Sequence, residues 1–164
     1  MQVGGRAMQT EMTLRAARPD DASALSALVT PLAWHLLDAE TAANAHAFLA
    51  SLSVESFAER LRAAQFAHYL VEDDNQLCGM IAMRDGNHIH HLFVGRTKRR
   101  RGVARLLWEH ALRTHGRQTY TVNSSVIAVP VYEKFGFAAK AAPQTVKGVR
   151  FVLMERPRLL RPAP

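Results

Sequence analysis

His88-Ile89-His90-His91-Leu92-Phe93-Val94 runs directly into Gly95-Arg96-Thr97-Lys98-Arg99-Arg100-Arg101-Gly102-Val103-Ala104, and this stretch decides the fold. Its first half has strand composition, and a helical pattern opens at Gly102. A glycine-opened helix start leaves backbone N–H groups unpaired and carries partial positive charge, so it attracts phosphate. Five of the six residues from 96 to 101 are basic, and arginine grips phosphate oxygens with paired bonds. Alone, a basic run reads equally as a solvated loop or as a nucleic-acid backbone patch. Its place between a strand and a helix favours a cofactor phosphate, because ligands of such sheets sit where a strand ends and a helix begins.

Working outward, residues 68–72, 77–83 and 88–94 are three short strands separated by Asp73-Asp74-Asn75 and Asp85-Gly86-Asn87, an antiparallel meander. Residues 103–115 are helical, with Val103, Leu106, Leu107, His110 and Ala111 on one side and Gly116 at the stop. A strand over 118–122, a short helix over 127–135 ended by Gly136, and a last strand over 146–154 follow. Upstream lie a strand at 13–17 and a helix capped by Asp20 that carries Leu25, Leu28, Val29 and Leu32. The Ala-rich stretch 33–53 reads as helical, and a further helix carries Phe57, Leu61 and Ala64. The expected fold class is α/β in the α+β sense, a mixed, mostly antiparallel central sheet flanked by helices.

The 164 residues suit one core, expected over 12–156 between a loose leader at 1–11, or an upstream start before Met12, and a disordered basic tail at 157–164. A single cysteine, Cys78, excludes an intrachain disulfide, and no apolar run reaches membrane-span length. A cytoplasmic protein with no membrane partner is expected. The net charge of +7 and a pI near 10.3 call for an anionic partner without saying which.

Arg99, Gly102 and Ala104 satisfy the signature of the GNAT acetyltransferases, Gln or Arg, two residues, Gly, one residue, Gly or Ala. The chain resembles a bacterial-type single-domain member. The resemblance implies an acetyl-CoA site built from Leu92, Phe93 and Val94 on a splayed strand and from Arg99, Arg100, Arg101, Gly102, Val103, Ala104 and Arg105 around the turn. It implies Tyr132, just before Gly136-Phe137, as the acid that protonates the leaving thiolate. The asparagine many members carry seven residues before the tyrosine is Ser125 here, with Asn123 two earlier, and either can meet pantetheine. Acceptor specificity would be shaped by 33–53, with Trp34, His35, Asp38 and Glu40.

Strand alternation puts His88, His90, Leu92 and Val94 on one face and His91 on the other unless a bulge intervenes. This His-x-His resembles the register of the arylalkylamine acetyltransferases and makes His88 and His90 the candidate base, with Glu72 in reserve. A zinc site would need three or four ligands at recognisable spacing, which the remaining histidines do not supply, so no metal is expected. Cys78 carries no cue for activation, which disfavours an acyl-cysteine. The function expected is N-acetyltransfer from acetyl-CoA to a primary amine of a small molecule or peptide in a ternary complex. Nucleic acid is not an expected partner, and a homodimer is allowed. The alternative is a non-catalytic CoA- or nucleic-acid-binding module that uses residues 96–101.

Overall fold

The computed structural model describes residues 11–37 and 43–159. Residues 1–10 of the leader expected over 1–11, residues 160–164 of the expected tail, and Asp38 and Glu40 lie outside them. Eight strands and five helices follow in the order β1 (Met12–Ala16), α1 (Ala22–Trp34), α2 (His46–Ala50), α3 (Val54–Arg62), β2 (Phe66–Asp73), β3 (Gln76–Arg84), β4 (His88–Val94), α4 (Val103–His115), β5 (Tyr120–Ser124), α5 (Val129–Lys134), β6 (Ala138–Ala139), β7 (Gln144–Val146) and β8 (Val149–Arg156). The strands pair in the order β1-β2-β3-β4-β5-β8-β6, with β7 also on β8. Every pairing is antiparallel except β4 with β5. This is the mixed, mostly antiparallel sheet flanked by helices that the sequence implied. No helix of the described residues is long and apolar enough to cross a membrane.

The meander folds as its turn residues demand. Asp74 and Asn75 take left-handed φ values of 52° and 60° and close the β2–β3 hairpin in two residues. The sheet separates two apolar layers. On one side Val103, Leu107, Trp108 and Ala111 of α4 pack on Val71, Ile81, Met83, Ile89 and Val122. Complete burial of Leu107 contributes roughly 2 kcal/mol. The Trp108 ring meets Tyr120 edge-on at 5.1 Å and Phe137 at 5.3 Å, which fixes where the N-terminus of α4 points. On the other side Leu25, Val29 and Ala33 of α1 join Leu52 and Phe57 over Leu70, Met80 and Ala82.

Four local expectations need correction, and one strand, β6, is new. Asp20 does not cap α1: residues Pro19–Asp21 form a 3-10 turn, and Asp21 accepts from the Arg18 amide at 2.6 Å while pairing with Arg15 at 2.8 Å. Ala64 lies beyond α3, which ends at Arg62. The strand expected at 118–122 is Tyr120–Ser124, because Asn123 and Ser124 keep their places on the ladder opposite Leu153 and Val152 despite their polar side chains. The segment read as one strand over 146–154 is a hairpin, with Lys147 and Gly148 at φ 48° and 78° turning β7 into β8. The two-residue β6 is too short to carry a hydrophobic period.

Candidate active site

The site begins where β4 and β5 part. Their parallel ladder holds only His88 to Thr121 and Ile89 to Val122. Beyond Ile89 the edge of β4 facing β5 has no strand partner among the described residues, while its other edge stays paired to β3 through Val94. Backbone groups of Leu92, Phe93 and Val94 therefore border an opening. A cleft of about 860 Å³ passes through it, lined by residues from both apolar layers. At one end are Gly102, Val103, Ala104 and Arg105, with Trp108 behind them; at the other are Leu32, Leu36, Leu37, Phe48, His90 and His91.

At the helix end, Gly102 is the N-cap of α4 with φ 77° and ψ 13°. An added Cβ there meets nothing within 4 Å, so the glycine answers a backbone need, and the space beside it is open to a ligand. The basic run divides into two sets. Asp73, at the end of β2, accepts on Oδ2 from Lys98 Nζ at 3.0 Å and Arg101 Nη1 at 2.8 Å. Those two hydrogen bonds hold its carboxyl below the usual range and pin the loop to the sheet. Arg99, Arg100 and Lys98 line the cleft, whereas Arg101 does not. The reading of 99–101 as a uniform phosphate grip narrows accordingly. Arg105 lines the cleft and pairs with Glu109 at 2.8 Å across one helical turn.

Across the opening, Asn123 and Ser125 both reach the cleft. Ser125 Oγ already accepts from the Ala128 amide at 3.2 Å and shapes the entry to α5, whereas Asn123 is exposed. Tyr132 lines the same wall, only 6% exposed and set against Phe137 at 5.7 Å. Burial pushes its phenol well above the usual value, so it stays protonated.

The histidines depart from the simple alternation. The β3–β4 register passes from Ala82 opposite His91 to Met83 opposite Ile89, so His90 is an extra residue on β4. The bulge breaks the period: Ile89, Leu92 and Val94 face the α4 layer, whereas His91 packs between Phe57 and Phe93, both at 5.7 Å. His90 lies against His91 at 4.4 Å and meets Phe66 edge-on at 5.1 Å. His90 and His91 thus line the cleft together, and His88 does not. The His88 Nδ1 is hydrogen-bonded to Thr121 Oγ1 at 2.8 Å. Burial, then the nearby Arg60 cation, lowers His90 to about 4, and burial holds the enclosed His91 well below 6.5. Glu72 lies outside the cleft, its carboxylate taken by Arg15 at 3.0 Å. Cys78 is fully buried, which raises its thiol, and it does not line the cleft. Among the described residues no three His, Cys, Asp or Glu side chains are grouped to hold a metal ion.

Phe48, Leu36 and Leu37 are not singled out by the sequence, and Leu32 is marked there only as part of an apolar helix face. Trp34 and His35, which the sequence does single out, are exposed and outside the cleft. Phe48 follows the chain at Asn44 and Ala45, which lies so close to the β7–β8 turn that a Cβ on Gly148 would fall 2.5 Å from the Asn44 carbonyl carbon. That contact joins two segments over 100 residues apart, and no short-range pattern announces it.

The family model described as an acetyltransferase (GNAT) domain matches residues 36–157, well over half of the chain. The chain belongs to the GNAT acetyltransferases. Solved structures agree on the fold. A GCN5-related N-acetyltransferase from Rhodopseudomonas palustris is similar at 20% identity, with 88% of this chain and 94% of that one covered and a TM-score of 0.70. The PaiA N-acetyltransferase of Thermoplasma acidophilum, in complex with coenzyme A, is similar at 13% identity, 90% and 99% coverage and a TM-score of 0.71. The ribosomal-protein-S18-alanine N-acetyltransferase of Escherichia coli follows at 19%, 93% and 97%, with a TM-score of 0.62. Among curated proteins the sequence finds no match. Membership makes this GNAT chain an acyltransferase, and its splayed strands and glycine-opened helix suit an acyl-CoA.

Proposed function

We propose that the protein transfers the acetyl group of acetyl-CoA to a primary amine of a small molecule or peptide by direct attack. The observation that carries the reading is the continuity of the cleft, which runs from a cationic helix N-terminus, between the splayed strands, to neutral imidazoles among apolar side chains. The phosphates lie at Gly102–Arg105 N–H groups with Arg99 and Arg100, and the pantetheine arm pairs with the free edge of β4. Asn123, which has no local turn to cap, is the better placed amide partner. The amine nitrogen attacks the thioester carbonyl carbon and the C–S bond breaks. Tyr132 gives its proton to the leaving sulfur, and an imidazole at the opposite end removes the ammonium proton. His90 takes that part in place of the His88/His90 pair, because His88 is engaged with Thr121 outside the cleft. The burial of Cys78 away from the cleft supports direct transfer over an acyl-cysteine.

A turnover screen of acetyl-CoA with small amines, polyamines, amino acids and peptides tests the reaction. Tyr132→Phe tests the acid: kcat should fall about 10²-fold with CoA affinity by calorimetry unchanged. Because burial raises the phenol, any loss of rate on the basic side below about pH 10 belongs to another group. A wild-type kcat in Tyr132→Phe returns the residue to a packing role. Titration with CoA against duplex DNA at fixed salt separates the enzyme from a nucleic-acid-binding module, which would show affinity for DNA that falls steeply with salt.

A further inference from the structure

Behind the cleft, the imidazole end continues into the protein. His68 on β2, Ala82 on β3 and His91 on β4 are successive partners across the sheet. All three lie on the face covered by α3. Neighbouring strands are about 4.8 Å apart, so the two histidine backbones stand roughly 10 Å from one another. The only side chain the sheet places between them is the methyl of Ala82. Each histidine carries one buried ring nitrogen that no described residue satisfies, Nε2 on His68 and Nδ1 on His91, and Nε of Arg60 on α3, the cation that bears on both rings, is unpartnered as well. A packed apolar layer does not tolerate three such atoms without partners, and buried water is the usual partner of polar atoms so placed.

We infer that water over Ala82 links His91 to His68 and that this pair carries the acceptor's proton from the cleft to solvent, with His68 as a positioning residue that acts through His91. The inference rests on the acetyltransfer reading. The proton leaves the ammonium group for the imidazole end of the cleft, His90 or His91, one proton moves across the water, and one leaves at His68, which keeps 5% of its surface accessible. No charge stays behind, and the freed amine lone pair forms the C–N bond. The exit matters because burial disfavours the charged form of the enclosed His91, so this imidazole serves best as a base if it passes the proton on. The charged and titratable groups bearing on the pair are Arg60 on α3 and His90 on β4, and His90 in turn has Arg84 on β3 and His88 near it; all of them disfavour a stored proton.

The test compares His68→Phe and Ala82→Val with Ala82→Ser, whose hydroxyl can stand in for a water. With an amine that wild type acetylates, His68→Phe and Ala82→Val should lower kcat/KM about tenfold near pH 7 and recover at high pH, where the amine is already unprotonated. Ala82→Ser should stay within about twofold of wild type at all pH values. CoA affinity should be unchanged in all three. Independently of turnover, the ¹⁵N signal of His91 Nδ1 in histidine-labelled protein should move on His68→Phe. A pH profile parallel to wild type in a folded His68→Phe, or an unmoved His91 signal, overturns the relay while leaving acetyltransfer intact. If wild type binds CoA but acetylates no amine, the acetyltransfer reading fails, and the relay fails with it.

Discussion

The two ends of the cleft are built differently. The phosphate end is continuous in sequence: β4, a basic loop and α4 follow one another within 88–115. Its central feature is local, a left-handed glycine at an N-cap, and the contribution from outside the segment is Asp73 at the end of β2, whose carboxylate holds the loop. The acceptor end is assembled from α1, α2, β4 and β8, and its position depends on packing between distant segments such as Asn44 against Gly148. A site made from one segment survives sequence divergence as a motif. A site made from four survives only as a fold, and its residues are free to change with the substrate.

The sharpest way to break that contrast is Gly102→Glu. The position needs φ 77°, which costs a non-glycine residue about 1 kcal/mol, and the new carboxylate enters the space proposed for phosphate. CoA affinity should fall by at least about 10²-fold, near 3 kcal/mol. The fold should survive, since a Cβ at this glycine meets no protein atom. Undiminished CoA binding by calorimetry in folded Gly102→Glu would remove the turn from the site.

The acceptor end should instead betray itself in acid. Burial lowers His68 and His90 to about 4 and His91 well below its usual value, so the unfolded chain binds more protons than the folded one below about pH 6.5. Each neutral imidazole stabilises the fold above that pH, and the contribution is lost as pH falls toward 4. For His68 the full shift corresponds to roughly 3 kcal/mol. Asp73 and Asp21, lowered mainly by their hydrogen bonds to basic side chains, have the same sign but act below about pH 4. Urea unfolding at pH 7.5, 5.5 and 4.5 should therefore show a loss in the upper window that His68→Phe diminishes. A flat profile between pH 7.5 and 4.5 would mean that these rings reach solvent.

The same division governs what the sequence discloses. Helix α4 was legible to the residue, because Gly102 and Gly116 bracket an unbroken 3.6-residue pattern. The meander was legible from Asp-Asn and Asp-Gly-Asn between apolar runs. Two features escaped for physical reasons. The Lys147-Gly148 turn lies inside an alternating stretch, so the period hides the reversal. The sheet register hides the bulge at His90, because whether one residue of β4 is skipped depends on what Ala82 and Met83 do on β3. Of the site, the phosphate turn and Tyr132 reach the cleft from local pattern, whereas Leu32 shows only the apolar face of any amphipathic helix, and Leu36, Leu37 and Phe48 lie outside α1 with no motif to mark them.

The smallest expected effect separates His88 from His90 and so tests the bulge itself. With uninterrupted alternation the two rings share a face and a function, and either substitution should impair the same step. With His90 as the extra residue, His88 turns to Thr121, where its role is one hydrogen bond at 2.8 Å between the two strands just before they part. Such a bond contributes about 1 kcal/mol, and glutamine can keep part of it. His88→Gln should therefore cost no more than about 1 kcal/mol of stability and leave kcat/KM within about twofold across pH. His90→Gln should depress kcat/KM near neutral pH and recover as the amine deprotonates unaided. The measurement is a pair of pH–rate profiles with urea midpoints for both variants. Equal losses would mean that the pairing of β4 with β5 tolerates no slack at Thr121, or that the two rings share one face. A third profile, for Thr121→Val, decides between them: it removes the partner of His88 without touching an imidazole, and only the strand-pairing explanation expects it to match His88→Gln.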